Sequence, residues 1–233
     1  MDITFEADGK TLPAALALPE GDQRSPGVLV IHEILGLNDD IRRITRRFAA
    51  SGYAALAPDL FHGLGPQPIC VARTVAQFRR GGGRALRSLL DAKRHLGSLP
   101  DVDEERIGVA GFCMGGGFAL LLGRRSNVGA AAAFYGEVPE RAADLRGVCP
   151  VVAGYGGRDR MYGKKGHLLE RHLSFLGVPH DVKTYPNAGH SYMSELGGWR
   201  GWIGRRLPLR AEHHEGAAED SWRRMLEFFE QHL

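Results

Sequence analysis

The segment Gly111-Phe112-Cys113-Met114-Gly115 constrains this chain more than any other part of it. It follows directly on the apolar run Ile107-Gly108-Val109-Ala110 and leads into a glycine-rich stretch of small residues. Two glycines flanking a nucleophile, between a strand and a helix, make a turn too tight for larger neighbours. Such a turn holds the central side chain exposed at the carboxyl end of a sheet. The start of a helix also favours a negative charge, and so the thiolate form of a cysteine. Taken out of this context, Cys113 reads as a buried packing residue beside glycines.

The rest of the chain has a rhythm that suits such a turn. Short apolar runs at 28–31, 53–57, 107–110, 130–134 and 151–153 read as buried strands, and 181–185 as a more exposed one. Between them lie amphipathic stretches. In residues 39–50, Ile41, Ile44, Phe48 and Ala49 fall at helical spacing, with Arg42, Arg43, Arg46 and Arg47 on the solvent face. Residues 74–96 read as a long helix that breaks at Gly81-Gly82-Gly83, since each interior glycine costs about 1 kcal/mol relative to alanine. Trp222, Met225, Leu226 and Phe229 mark a closing helix, and residues 14–18 an antiparallel edge strand. Alternation of this kind predicts an α/β fold with a mostly parallel central sheet and helices on both faces. With 233 residues and no internal repeat, the expected organisation is one domain over 1–233.

Composition narrows the function classes. The 32 glycines are about twice the ordinary share of ~7% and carry no period, which points to tight turns rather than to a collagen-like or disordered chain. A net charge of +3 without a basic face interleaved with aromatics does not suggest a nucleic-acid partner. Three widely spaced cysteines argue for free thiols and a reducing cytoplasm rather than a disulfide framework. The start lacks the pattern of a secretory signal, and no apolar run approaches the ~18 residues of a membrane span.

Partners for Cys113 follow in the order nucleophile, acid, histidine. Asp159 stands after the strand-like run Val151-Val152-Ala153-Gly154, and His190 after 181–185, both in loops at strand carboxyl ends. An imidazole can take the thiol proton and return it to a leaving group, while a carboxylate on its other nitrogen fixes the tautomer. Read alone, Asp159 is a turn residue or helix cap and His190 one of ten histidines. Read together, they make a Cys-His-Asp triad. Gly163-Lys164-Lys165 lacks the remaining residues of a phosphate loop, and His32-Glu33 lacks the second histidine of a zinc motif. Cys70 and Cys149 have no glycine frame and read as structural.

Over most of its length the chain resembles the dienelactone hydrolase family of α/β-hydrolases. The residues that carry the resemblance are 31–38 (IHEILGLN), 57–60 (APDL), 111–116 (GFCMGG), the Asp159 loop and 188–192 (AGHSY). It implies an α/β-hydrolase fold in which Cys113, Asp159 and His190 form the triad. Glu33 would be an extra carboxylate beside the thiol, and the amides of Ile34 and Met114 an oxyanion hole. It implies hydrolysis of a small ester or lactone, of the carboxymethylenebutenolidase type, through an acyl-thioenzyme with no metal or organic cofactor. The protein would be a monomer or homodimer. Ser191, Tyr135 and Tyr192 are candidate substrate contacts, although Tyr135 reads equally as packing.

One departure stands out. Family members bind a substrate carboxylate with two arginines, one of them four residues after the histidine, where this chain has Ser194. Arg79, Arg80 or Arg84, and Arg200, Arg205, Arg206 or Arg210 beside Trp199 and Trp202, are alternatives for anion recognition. The departure gives weight to a broad carboxylesterase or thioesterase of the same fold. A non-catalytic binding module is the remaining reading, against which the complete triad argues.

Overall fold

The computed structural model describes residues 1–21, 23–79, 81–195 and 210–233. Among these residues eight strands form one sheet: β1 (Asp2–Ala7), β2 (Lys10–Ala17), β3 (Ser25–Ile31), β4 (Ala54–Pro58), β5 (Val102–Phe112), β6 (Ala131–Phe134), β7 (Val151–Gly156) and β8 (His180–Tyr185). Their spatial order is β1-β2-β4-β3-β5-β6-β7-β8, and every pair from β4 to β8 is parallel. The central strands are apolar and buried along their whole inner length because helices cover both faces, the general condition of a parallel sheet.

Helices α1 (Asp39–Ala50) and α6 (Glu215–His232) cover one face. Ile41, Ile44 and Phe48 pack there with Trp222, Met225 and Phe229. On the other face lie α3 (Gly83–Gly97), α4 (Met114–Arg125) and α5 (Lys165–Leu176), with Leu89, Leu96, Phe118 and Leu122 in the core. Each large apolar side chain fully buried in this way contributes about 1.5–3 kcal/mol relative to exposure. The arginines of α1 do face outward and meet acids: Arg42 pairs with Asp2, Arg43 with Asp40 and Glu195, and Arg47 with Glu219.

Two elements differ from the sequence expectation. Residues 14–18 are not an edge: β2 is antiparallel to β4 but is itself covered by β1, joined through a two-residue turn. Asp8 and Gly9 both take positive φ, 49° and 70°, as a hairpin turn of this length requires. The predicted long helix begins earlier, as α2 (Gln67–Arg79), and resumes as α3. Between them Gly81 and Gly82 adopt φ of 93° and 110°, which the break demands.

Register sets up the site. Ile31 pairs with Gly111, Phe112 with Phe134, and Gly156 with Tyr185. The strands therefore stop at one level, and the residues that follow β3, β5, β6, β7 and β8 share one edge.

Candidate active site

The turn after β5 is fixed by the space it lacks. A Cβ on Gly111 would lie 2.0 Å from the Gly115 carbonyl oxygen, and one on Gly115 2.3 Å from that of Ile31. At Gly116 it would lie 2.8 Å from the Phe134 carbonyl oxygen. These are contacts with backbone, which cannot give way. Held so, Cys113 takes φ 54° and ψ −117° and ends as the N-cap of α4, partly exposed. Its own amide donates to the Phe134 carbonyl at 3.0 Å. The close approach of Gly115 to Ile31 and His32 brings the loop after β3 against the start of α4. Neither the Ile34 nor the Met114 amide donates to a backbone carbonyl among the described residues.

Asp159 and His190 meet, and both are buried. His190 Nδ1 donates to Asp159 Oδ2 at 2.6 Å. The other carboxylate oxygen accepts from the Met161 and Tyr162 amides at 2.9 and 3.1 Å. Gly156 and Gly189 permit the approach of the two loops, since a Cβ on Gly156 would lie 2.1 Å from the Gly189 carbonyl oxygen. Gly189 in turn leans on the backbone of Arg210. His190 Nε2 is buried without a hydrogen-bond partner among the described residues. Burial opposes protonation of this ring, but negative charge at Cys113 and the bond to Asp159 outweigh it, raising the pKa to about 10.

Glu33 is 4% exposed and accepts from Ser194 Oγ at 2.8 Å. Burial pushes its carboxyl above the usual range, while the charge of His190 and the Ser194 and Ser191 hydroxyls pull partly back. Because Ser194 donates to Glu33, the Tyr135 hydroxyl is the donor toward Ser194 Oγ, at 3.4 Å. Ser191 is buried with φ 51°. The Tyr135 and Tyr162 rings flank His190 at 5.1 and 5.2 Å.

The remaining candidates fall elsewhere. Tyr192 lies in the core with its hydroxyl on Ser221 Oγ at 2.7 Å, so that group faces α6 rather than Glu33. Arg84 pairs with Asp8 at 3.7 Å. Arg80, Trp199, Arg200, Trp202, Arg205 and Arg206 lie outside the described residues. Cys70 is buried and donates to the Gly65 carbonyl at 3.2 Å. Burial pushes the Cys149 thiol up to about 12, which keeps it inert. Sequence reasoning missed Tyr162, whose only signal is its place three residues beyond Asp159, and the pairing of Ser194 with Glu33. It considered His32 only as a metal ligand.

Comparison with known proteins points to one family. A profile of the dienelactone hydrolase family matches residues 12–233. A carboxymethylenebutenolidase of Rhodococcus opacus is 29% identical, the match covering 88% of this chain and 81% of that one. A dienelactone hydrolase-like promiscuous phosphotriesterase from metagenomic libraries is 25% identical over 100% of this chain and 97% of its own, with TM-score 0.81. A dienelactone hydrolase from Anabaena variabilis, 18% identical over 100% and 97%, shares the fold at TM-score 0.71.

Proposed function

This chain belongs to the dienelactone hydrolase family and is a hydrolase of the α/β fold; from that premise we propose that it cleaves a small ester or lactone through Cys113, His190 and Asp159. In this reading residues 1–233 act as one domain. Cys113 Sγ attacks the acyl carbon as the thiolate, its proton held on His190 Nε2. Asp159 holds the imidazole by Nδ1 and stabilises the imidazolium. Negative charge gathers on the former carbonyl oxygen, which the Ile34 and Met114 amides receive. A donor of that kind is worth roughly 3–4 kcal/mol of barrier. As the C–O bond breaks, His190 returns the proton to the leaving oxygen and an acyl-thioenzyme remains. Water then gives a proton to His190 and its oxygen to the acyl carbon, and Cys113 leaves as the thiolate beside the imidazolium. Glu33 restrains or helps deprotonate the thiol.

The observation that carries this reading is the 2.6 Å bond from His190 to a buried Asp159, with Nε2 left for a proton in flight. The neutral hydroxyl of Ser194 on Glu33 favours a second reading, a broad carboxylesterase or thioesterase that does not require a carboxylate on its substrate. One comparison of kcat/KM, for a dienelactone and an uncharged ester of similar size, separates the two. A preference of at least tenfold, or about 1.4 kcal/mol, for the dienelactone supports the specialist, and no preference supports the esterase. Cys113→Ala should abolish both activities; turnover that survives it overturns the mechanism.

A further inference from the structure

His32 is wholly buried at the end of β3, edge-on to Phe61 with ring centroids 4.8 Å apart. Its Nε2 receives the Leu60 amide at 3.1 Å, and its Nδ1 lies 2.7 Å from the Glu33 carbonyl oxygen. A backbone N–H only donates and a carbonyl only accepts, so Nε2 is the bare nitrogen and Nδ1 carries the proton. The ring is neutral and its tautomer fixed. Burial also lowers its pKa from the ordinary histidine value.

The Glu33 carbonyl accepts a second hydrogen bond, from the Gly36 amide at 3.1 Å. That carbonyl and the Ile34 N–H belong to one planar trans peptide, in which C=O and N–H point in opposite directions. Whatever aims the first aims the second. A donor on the carbonyl also polarises the peptide and strengthens its N–H as a donor. The next carbonyl, that of Ile34, is tied to Gln67 Nε2 at 2.9 Å.

We propose that His32 is a positioning residue for the reaction: through Nδ1–H it turns the Glu33–Ile34 peptide so that the Ile34 N–H meets the oxygen of the tetrahedral intermediate. The inference rests on the oxyanion reading of Ile34 given above, and the test separates the two. An asparagine side chain places its NH₂ near the position of Nδ1, and a glutamine its oxygen near that of Nε2. His32→Asn therefore keeps the donor to Glu33 and loses the acceptor for Leu60, while His32→Gln does the reverse.

The expected result is a kcat at least tenfold lower in His32→Gln with KM little changed, and a kcat near wild type in His32→Asn, although each variant loses one buried hydrogen bond. A purely structural histidine would leave kcat per folded molecule unchanged in both, which would overturn the inference. A small alkyl trifluoromethyl ketone supplies a direct readout, because Cys113 Sγ adds to its carbonyl carbon and the C=O electron pair moves onto oxygen. The Ile34 amide proton should move downfield in the adduct of wild type and of His32→Asn, and much less in His32→Gln. An equal shift in His32→Gln overturns the inference alone. An Ile34 resonance that does not move in wild type overturns the oxyanion reading and the inference with it. Should a variant not fold, the imidazole ¹⁵N shifts of the wild-type protein still decide, since an Nε2–H tautomer contradicts the proposed donor.

Discussion

The turn around Cys113 and the loops that bear Asp159 and His190 lie at the same edge of the sheet and both need glycines, yet the loops are tied by side-chain hydrogen bonds as well. The Cys113 turn is shaped by missing atoms: Gly111, Gly115 and Gly116 each stand where a Cβ would strike backbone. The acid and histidine loops also rely on Gly156 and Gly189, but add polar bonds, with Asp159 accepting two amides and the imidazole. Steric definition tolerates no side chain but needs no charge. Polar definition tolerates changes of shape but depends on who donates and who accepts. Damage to the first should appear as lost stability, and damage to the second as lost chemistry.

The largest expected effect is on the polar side. Asp159→Asn keeps the outline and an oxygen for the Met161 and Tyr162 amides, but turns an NH₂ toward His190 Nδ1. We expect kcat/KM to fall by roughly 10³–10⁴ with little change in Tm, measured on the preferred ester. A large Tm loss with near-normal turnover would erase the distinction. On the steric side, Gly115→Ala should cost about 3 kcal/mol or more in a urea melt, because the new methyl meets the Ile31 carbonyl. A variant as stable as wild type would show that the turn can open.

The smallest expected effect links the two regions through His190. Its pKa is raised from 6.5 to about 10, so the stability it contributes is full below pH 6.5 and is lost as pH climbs through about 10. Cys113→Ser removes the thiolate charge and should lower the imidazole titration followed by NMR. The fall in unfolding free energy between pH 6.5 and 10 should then become shallower. An unmoved titration would mean that Cys113 and His190 are not electrostatically joined.

The same contrast decides what could be read from the sequence. Steric definition is written in glycines, so Gly111 to Gly115 announced both turn and nucleophile, and the break at Gly81 and Gly82 was equally plain. Strands buried on both faces, such as Val28 to Ile31 and Ala131 to Phe134, appear as unbroken apolar runs. Strand β1 buries only one face, through Phe5 and Ala7, and escaped notice although Asp8-Gly9 marks its hairpin. Helix α5 escaped too: it buries Leu169 and Leu173 along a narrow stripe and relies on Gly166 to approach Tyr155. Asp159 and His190 were legible from their order along the chain. The bond from Ser194 to Glu33 was not, because it joins residues 161 positions apart and no local pattern encodes it.

That distance has a consequence for how the molecule comes into being. The hairpin of β1 and β2 closes over two residues, a local event of the kind that takes about 1–10 μs in isolation. The site draws on the ends of β3, β5, β7 and β8, whose parallel pairings need long crossovers and so close slowly. Glu33, Cys113, Asp159 and His190 come together only once β3, β5, β7 and β8 have all docked. The return of hydrolytic activity during refolding is thus a clock for the last of these four strands to dock, and amide protection in β1 and β2 is expected to run ahead of it.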